Sequence, residues 1–151
     1  MRTAPHPVPV DVTSRRVCAV VPCYDRPGDL ERLLDDLREP HLDRLDVIVV
    51  DNASPTPIEG DARILRLDEN TGGSGGFNAG IEAALRTDCE FVWLIDSDAR
   101  VEASTLERLL RTLDAHPNAA AVGPAILEPG TNAPHEIGGH VDRRTGRFGP
   151  C

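Results

Sequence analysis

The sequence contains no lysine, because all sixteen of its basic residues are arginine. This excludes catalysis through a lysine Schiff base, and it excludes the nucleotide-binding P-loop, whose phosphate-binding residue is a lysine. The 25 acidic residues outnumber the basic ones and give a formal net charge of −9 at pH 7. Since binding to duplex nucleic acid requires a basic face, we expect no nucleic acid partner.

Long apolar runs and paired cysteines are also missing. No apolar run approaches the ~20 residues that span a bilayer, so we expect no transmembrane segment. Residues 1–16 have the composition of a polar leader with several prolines and lack the apolar centre of a secretory signal. The four cysteines form no CxxC pair and no metal-ligand spacing; they are Cys18, Cys23, Cys89 and Cys151. We interpret them as buried thiols of a cytoplasmic protein.

Short apolar segments alternate with amphipathic segments through most of the chain. The apolar segments predict buried strands over 17–21, 47–50, 64–67, 91–95 and 119–122. Leucine spacing predicts helices over 29–39 and from 106 to about 116, and an apolar face over 77–85 predicts another. Residues from 123 onward show no clear period. This order predicts an α/β fold, an open and mostly parallel sheet with helices on both faces.

Aspartates follow three of the predicted strands. Asp25 comes shortly after the first strand, Asp51 directly after the second, and Asp96-Ser97-Asp98 directly after the strand at 91–95. Ligands bind outside the carboxyl ends of parallel strands, so we expect these carboxylates to converge on one edge of the sheet. Their repulsion favours a hard divalent cation, which can in turn hold a diphosphate. The alternative is that each aspartate only stabilises a turn or a helix end.

A glycine-rich stretch lies between a predicted strand and a predicted helix, with the sequence Asn70-Thr71-Gly72-Gly73-Ser74-Gly75-Gly76-Phe77. Glycines let the backbone approach a ligand closely, and free amides before a helix can face an anion. We therefore expect a ligand-shaping loop, with a flexible connector as the alternative. The stretch is not a dinucleotide fingerprint, because Asn78 occupies the third glycine position.

Four segments of the chain form a recognisable series, in the order Val20-Val21-Pro22-Cys23-Tyr24-Asp25-Arg26-Pro27, Val49-Val50-Asp51-Asn52-Ala53-Ser54, Asn70-Thr71-Gly72-Gly73-Ser74-Gly75-Gly76-Phe77 and Asp96-Ser97-Asp98. In order and spacing, over residues 17–128, they resemble the family 2 glycosyltransferases of GT-A fold. The glycine-rich segment is most similar to the rhamnosyl- and galactofuranosyltransferase branch. The resemblance implies inverting transfer of a sugar from a UDP- or dTDP-sugar to a glycan or a lipid-linked acceptor.

The resemblance also implies roles for individual residues. Asp98, together with Asp96, would bind Mn²⁺ or Mg²⁺ on the diphosphate, while Asp51 would hydrogen-bond the base. The implied donor-binding residues are Pro22, Tyr24, Asp25, Arg26, Asp51, Asn52, Asn70, Gly72, Gly73, Gly75, Gly76, Asp96 and Ser97. Lipid-linked acceptors would bring the protein to the inner face of the cell membrane without a spanning segment.

Members of this family continue into an acceptor-binding half that carries the catalytic base. We therefore expect residues 17–128 to form the nucleotide-sugar-binding domain and 129–151 to be the start of an acceptor region, with the base beyond Cys151. Late candidates for a base or ligand are His135, Glu136, His140 and Asp142, although exposed polar residues are the simpler interpretation.

Two other functions remain open from the sequence. A nucleotide-sugar-binding module or sensor would need the same donor site but no base. A sugar-1-phosphate nucleotidyltransferase also uses a parallel sheet and metal-binding carboxylates. Such enzymes carry a glycine-rich, basic signature in the first loop, whereas residues 22–28 here contain one glycine and no lysine.

Overall fold

The computed structural model of the chain describes residues 15–38, 45–128, 130–131, 133–136, 138–141 and 144–150. The chain separates into two units, Met1–Ala103 and Ser104–Cys151. All but the last two residues of the expected leader lie outside the described residues. The boundaries proposed from the sequence for the domain and the acceptor region stay predictions.

A four-stranded sheet forms the centre of the first unit. It comprises β1 (Val17–Cys23), β2 (Leu45–Asp51), β3 (Arg63–Arg66) and β4 (Phe91–Leu94). The strands run parallel in the order β3-β2-β1-β4. Residues 17–21 of β1 are buried, as expected for an apolar strand between two neighbours and covered on both faces. The open parallel α/β sheet predicted from the sequence is thus confirmed.

The two helices among the described residues of this unit pack on opposite faces of the sheet. They are α1 (Pro27–Leu37), between β1 and β2, and α2 (Gly72–Ala84), between β3 and β4. Leucines of α1, such as Leu33, pack with Val21 and Val49, whereas Ala84 of α2 packs with Val20 on the other face. Alternation of apolar side chains along the strands supplies a core for each helix.

The helix α1 begins earlier than its leucine pattern indicates. Proline suits the first turn of a helix because its missing N–H would have no partner there, and α1 begins at Pro27. Arg26 is the N-cap residue and makes no capping hydrogen bond through its side chain. Asp29, the first residue of the predicted helix, lies in the first turn of α1.

The glycine-rich stretch is not a loop, which corrects the prediction made for it. Residues 72–76 are the first residues of α2, and only Gly72 has a left-handed conformation, with φ of 71°. A Cβ atom added at Gly76 would lie 2.9 Å from Cβ of Pro22, and one at Gly80 would lie 2.1 Å from Cγ1 of Val20. These two glycines are therefore needed for close contact between the helix and the sheet.

The second unit contains α3 (Thr105–Ala115), which buries Leu106, Leu109 and Leu110. Two short antiparallel pairs follow, β5 (Ile126–Leu127) with β6 (Pro134–Glu136), and β7 (Gly139–Val141) with β8 (Phe148–Pro150). The strand predicted at 119–122 is wrong, because these residues are irregular. Three of the four are alanines, which have low strand propensity and little apolar area to bury.

No helix in the described part of the chain is both long enough and apolar enough to cross a membrane. Three of the four cysteines, which the sequence predicts to be buried thiols, lie among the described residues. Cys18 and Cys23 are buried free thiols and Cys89 is a half-buried one. Cys151 lies outside the described residues.

The contact between α2 and β1 gives a stability prediction. Gly80→Ala should lower the free energy of unfolding by about 2 kcal/mol, because the added methyl group overlaps Val20 and forces the helix away from the sheet. Urea unfolding would measure the change. Gly28→Ala in α1 is the control, since its nearest neighbour would be Arg32 Nη1 at 4.0 Å. Equal stability of the Gly80→Ala variant and the wild type would contradict the close contact.

Candidate active site

The carboxyl ends of three neighbouring strands, β2, β1 and β4, form the edge of the sheet at which the sequence predicts the site. Strand β1 lies between β2 and β4, so the loops that follow these strands leave from adjacent positions. The Asn52 N–H donates to the Cys23 carbonyl at 2.9 Å, and the Ile95 N–H donates to the Val20 carbonyl at 3.1 Å. Gly76 of α2 lies against Pro22. All four segments predicted to form the site therefore meet at one edge.

The carboxylate of Asp51, at the end of β2, is fully buried. Its Oδ1 accepts from the Ser54 N–H at 2.9 Å, and its Oδ2 accepts from the Ile58 N–H at 3.2 Å and from the Arg66 guanidinium. Burial by itself raises the pKa of Asp51, but the hydrogen bonds from Ser54, Ile58 and Arg66 outweigh it and hold the pKa below its usual value.

This arrangement bears on the contact expected between Asp51 and a nucleotide base. Both carboxylate oxygens already accept hydrogen bonds from the protein, so Asp51 organises the loop that follows β2. Direct contact with a base stays a prediction.

Among the described residues, no group of three or more acidic, histidine or cysteine side chains could hold a metal ion.

The side chain of Asn52 connects β2 to the start of α2. Asn52 is 4% exposed. Its Nδ2 donates to Asn70 Oδ1 at 3.1 Å and to the Gly72 carbonyl at 3.0 Å. Its Oδ1 accepts from the N–H of Thr71 at 3.0 Å and from the Thr71 hydroxyl at 3.2 Å. The two segments that contain Asn52 and Asn70 are thus held together directly.

The loop after β1 is attached to the loop after β2. Asp25 has a φ of 52°, an uncommon conformation for a residue other than glycine, and its N–H donates to Ser54 Oγ at 3.1 Å. Ser54 therefore contacts both Asp51 and Asp25. Tyr24 is 46% exposed, and Arg26 is exposed with an ion pair to Asp29 at 3.4 Å. The side chains of Tyr24, Asp25 and Arg26 are accessible to a ligand.

The turn after β4 presents the carboxylates of Asp96 and Asp98 to solvent. Neither side chain makes a hydrogen bond or an ion pair with another residue of the described structure. Between them, Ser97 is half-buried and lies near the Cys23 thiol, whose pKa is raised mainly by burial. The Ile95 N–H, just before the turn, donates to the Val20 carbonyl of β1, and both carboxylates of the turn remain accessible.

A second attachment lies just beyond this turn. Arg100 makes a two-pronged ion pair with Asp36 of α1, with both nitrogen–oxygen distances at 2.7 Å. The Val101 N–H donates to the same carboxylate at 3.1 Å. The Arg100 guanidinium holds the pKa of Asp36 below its usual value. The segment that follows Asp98 is thus fixed to α1.

The glycines of the candidate donor site divide into two kinds. Gly72 and Gly73 are exposed, and a Cβ atom at either would meet nothing within 4 Å. At Gly75 a Cβ atom would lie 2.3 Å from Thr71 Oγ1, and Gly76 is buried against Pro22. Of the four, only Gly72 and Gly73 leave space for a ligand. Contact of Gly75 and Gly76 with a donor stays a prediction.

Two cavities border the sheet. One of about 560 Å³ lies between α1 and the loop after β2, and Asp25, Ser54 and Ile58 are among the residues that line it. It adjoins the candidate site, although neither Asp96 nor Asp98 lines it. The other, of about 670 Å³, is lined by residues at the amino ends of the strands, including Arg16 and Asp88. Ligands of open parallel sheets bind at the carboxyl ends, so this second cavity is outside the candidate site.

Three of the four late candidates for a base lie on short strands of the second unit. His135 is exposed on β6, while Glu136 and His140 lie on β6 and β7. Asp142 lies outside the described residues. Their roles stay predictions.

Sequence reasoning missed Ser54 and Arg66. The position of Ser54, three residues after Asp51, is a spacing at which turn residues hydrogen-bond, so the sequence carried a signal for it. Arg66 faces Asp51 only because β2 and β3 pair in the register that aligns these two residues. That register has no local signal in the sequence.

The fold and the edge together define an open-sheet α/β protein whose polar site lies at the carboxyl ends of β2, β1 and β4. The family model for glycosyl transferase family 2 matches residues 18–138 of the chain. The chain belongs to this family, which confirms the resemblance found in the sequence. The specific rhamnosyl- or galactofuranosyltransferase branch stays a prediction.

Solved structures share the fold. TarS from S. aureus, in a crystal structure of residues 1–349 with UDP-GlcNAc, is 21% identical with a TM-score of 0.55, over 75% of this chain and 38% of that one. The mannosyltransferase PcManGT from Pyrobaculum calidifontis, in complex with GDP-Man and Mn²⁺, is 26% identical with a TM-score of 0.58, over 83% and 40%. The chain thus spans two fifths or less of these structures. No curated protein matches it.

The buried carboxylate of Asp51 leads to a prediction about pH. Asp51→Asn should lower the free energy of unfolding by about 3 kcal/mol at pH 7, because the amide nitrogen would face N–H donors. The folded-state pKa of Asp51 lies below its unfolded value of about 3.9, so its contribution is complete above that pH and is lost as pH falls through the folded-state pKa. The wild type should therefore lose stability below about pH 4 more steeply than the variant.

Urea unfolding at several values from about pH 3 to 7 would measure both the stability loss and its pH dependence. This range includes the unfolded-state pKa of about 3.9. Asp61→Asn, which removes an exposed carboxylate from the same loop after β2, is the matched control. Parallel pH profiles of the wild type and Asp51→Asn would contradict the assignment of the shift to Asp51.

Proposed function

We propose that the chain binds the donor of a glycosyltransferase, a nucleoside diphosphate sugar, whose sugar is transferred to a glycan or a lipid-linked acceptor. The observation that carries the proposal is the pair of exposed carboxylates, Asp96 and Asp98, at an edge where three strand ends meet. Family membership supports the reaction class. UDP- or dTDP-sugars are the donors we propose, and GDP-sugars are a further option since a related structure binds GDP-Man.

The chemistry of Asp96 and Asp98 fits a hard divalent cation. Such ions take oxygen ligands and are commonly bound by one or two carboxylates plus the phosphates of the substrate. Two accessible carboxylates with no hydrogen-bond or ion-pair partner among the described residues meet that requirement, and Mn²⁺ accompanies GDP-Man in a related structure. Mn²⁺ or Mg²⁺, held by Asp98 with Asp96, would neutralise charge on the diphosphate as the sugar departs. A protein with a net charge of −9 could then accept an anionic donor.

The remaining side chains would orient the donor. Tyr24 and Arg26, exposed beside the end of β1, would border the nucleotide. Gly72 and Gly73 leave room for the ribose and sugar near the first turn of α2. Attachment of the surrounding loops through Ser54 and Asn52 would hold these groups in place before the donor binds, which favours affinity.

Acceptor binding and deprotonation need a further carboxylate, which we propose lies in an acceptor-binding region outside this site. An aspartate or glutamate there would remove the proton of the acceptor hydroxyl while the sugar inverts. We propose a cytoplasmic location, consistent with the free thiols of Cys18 and Cys23, and association with the inner membrane face where the acceptor is lipid-linked.

A titration of nucleoside diphosphates into the chain tests the donor site. UDP, dTDP and GDP should each be tried with Mn²⁺ and again with EDTA, and we expect one of them to bind only with the metal. Asp98→Asn should weaken that binding at least about tenfold, or about 1.4 kcal/mol, because it removes the charge that holds the ion. Calorimetry gives both the affinity and the stoichiometry.

Asp88→Asn is the matched control. Asp88 precedes the same strand, β4, at its amino end, where it is exposed and pairs with Arg16. Its removal changes the net charge equally and should leave nucleotide binding unchanged. A nucleotide affinity that changes neither on addition of EDTA nor in Asp98→Asn would refute the metal site. Metal-dependent binding without sugar transfer to any acceptor would instead favour a nucleotide-sugar-binding module.

A further inference from the structure

We propose that Asn52 is a positioning residue that holds the first turn of α2 in place and does not itself contact the donor. The expected effect on nucleotide binding rests on the proposed function, whereas the effect on α2 does not. The inference comes from the hydrogen-bonding capacity of one amide and from the weakness of the helix start that it contacts.

The amide of Asn52 has no capacity left for a ligand. A primary amide offers two N–H donors and one oxygen with two acceptor positions. Both donors are used, by Asn70 Oδ1 and the Gly72 carbonyl, and both acceptor positions are used, by the N–H and the hydroxyl of Thr71. The side chain is also 4% exposed, so a donor molecule could reach it only by displacing the start of α2.

The start of α2 is intrinsically weak. Four of its first five residues are glycines, each of which costs about 1 kcal/mol relative to alanine inside a helix. Thr71, the N-cap residue, makes no capping hydrogen bond through its side chain. Local interactions therefore do little to hold this turn, and its position depends on contacts from elsewhere in the fold.

Asn52 provides such contacts from a buried position at the end of β2. Its own N–H donates to the Cys23 carbonyl at 2.9 Å, so its backbone is bound to the neighbouring strand β1. Asn70 continues the connection, because its Oδ1 also accepts from the Gly72 N–H at 2.9 Å. The exposed backbone of Gly72 and Gly73 is thereby placed relative to the strand ends by Asn52.

Amide hydrogen exchange in the chain without nucleotide tests this role directly. In Asn52→Ala, exchange at Thr71 and Gly72 should become at least tenfold faster, a loss of about 1.4 kcal/mol of local stability. Exchange at Val20 and Val49 in the core strands should keep its wild-type rate. Asn78→Ala is the control, since Asn78 is exposed on the same helix. Unchanged exchange at Thr71 and Gly72 would overturn the proposal.

A second pair of variants avoids substituting the buried residue. Asn70 is exposed, and its oxygen accepts from both Asn52 and Gly72. Asn70→Ala should accelerate exchange at Gly72, whereas Asn70→Asp keeps an acceptor oxygen and should preserve slow exchange. If both variants exchange like the wild type, the connection through Asn70 does not hold the helix and the proposal fails, even if Asn52→Ala does not fold.

Nucleotide affinity then distinguishes positioning from contact. With Mn²⁺ and the nucleotide that binds the wild type, Asn52→Ala and Asn70→Ala should each lower the affinity. The double variant should have the same affinity as the single variant that binds less tightly. Additive losses would indicate direct contact by Asn52 and overturn the proposal. If the wild type binds no nucleotide, the proposed function fails, while hydrogen exchange still decides whether Asn52 positions α2.

Discussion

The candidate site depends on one buried charge, the carboxylate of Asp51. A carboxylate removed from water is costly unless hydrogen-bond donors surround it, and here the chain folds back to supply them. Ser54 and Ile58 donate from the loop after β2, and Arg66 donates from the neighbouring strand β3. The hydroxyl oxygen of Ser54 also accepts a hydrogen bond from the Asp25 N–H, so the loop after β1 is connected to Asp51 through Ser54. Loss of the carboxylate would therefore affect two of the segments that form the edge.

The helix α2 illustrates a compromise between packing and local stability. Glycines at 76 and 80 let its backbone approach the side chains of Pro22 and Val20, a distance that any Cβ atom would prevent. The same composition makes the first turn a poor helix by itself. The amide of Asn52 compensates from outside the helix, and the outcome is an exposed, side-chain-free surface at Gly72 and Gly73 beside the strand ends.

Membership in glycosyl transferase family 2 gives this geometry a chemical context. The buried groups at the edge, Asp51 and Asn52, are occupied by protein partners, whereas Asp96 and Asp98 are accessible and have no such partners in the described part of the chain. This division separates residues that build the site from residues that are available to bind. The turn that carries the accessible pair is attached on both sides, to β1 through the N–H of Ile95 and to Asp36 through Arg100. It therefore offers two charges on a constrained backbone.

The sequence by itself determined the parallel α/β sheet, the leucine face of α1 and the family, because apolar periodicity and short motifs are local properties of the chain. It could not show that residues 72–76 are helical, since their propensity opposes a helix and the contacts that favour one, of Gly76 with Pro22 and of Asn52 with Gly72, join distant segments. Nor could it show that Asp51 is buried with Arg66 or that Asn52 is saturated by residues 70–72. Those facts depend on strand register and on the distance between helix and sheet, which packing of distant segments decides.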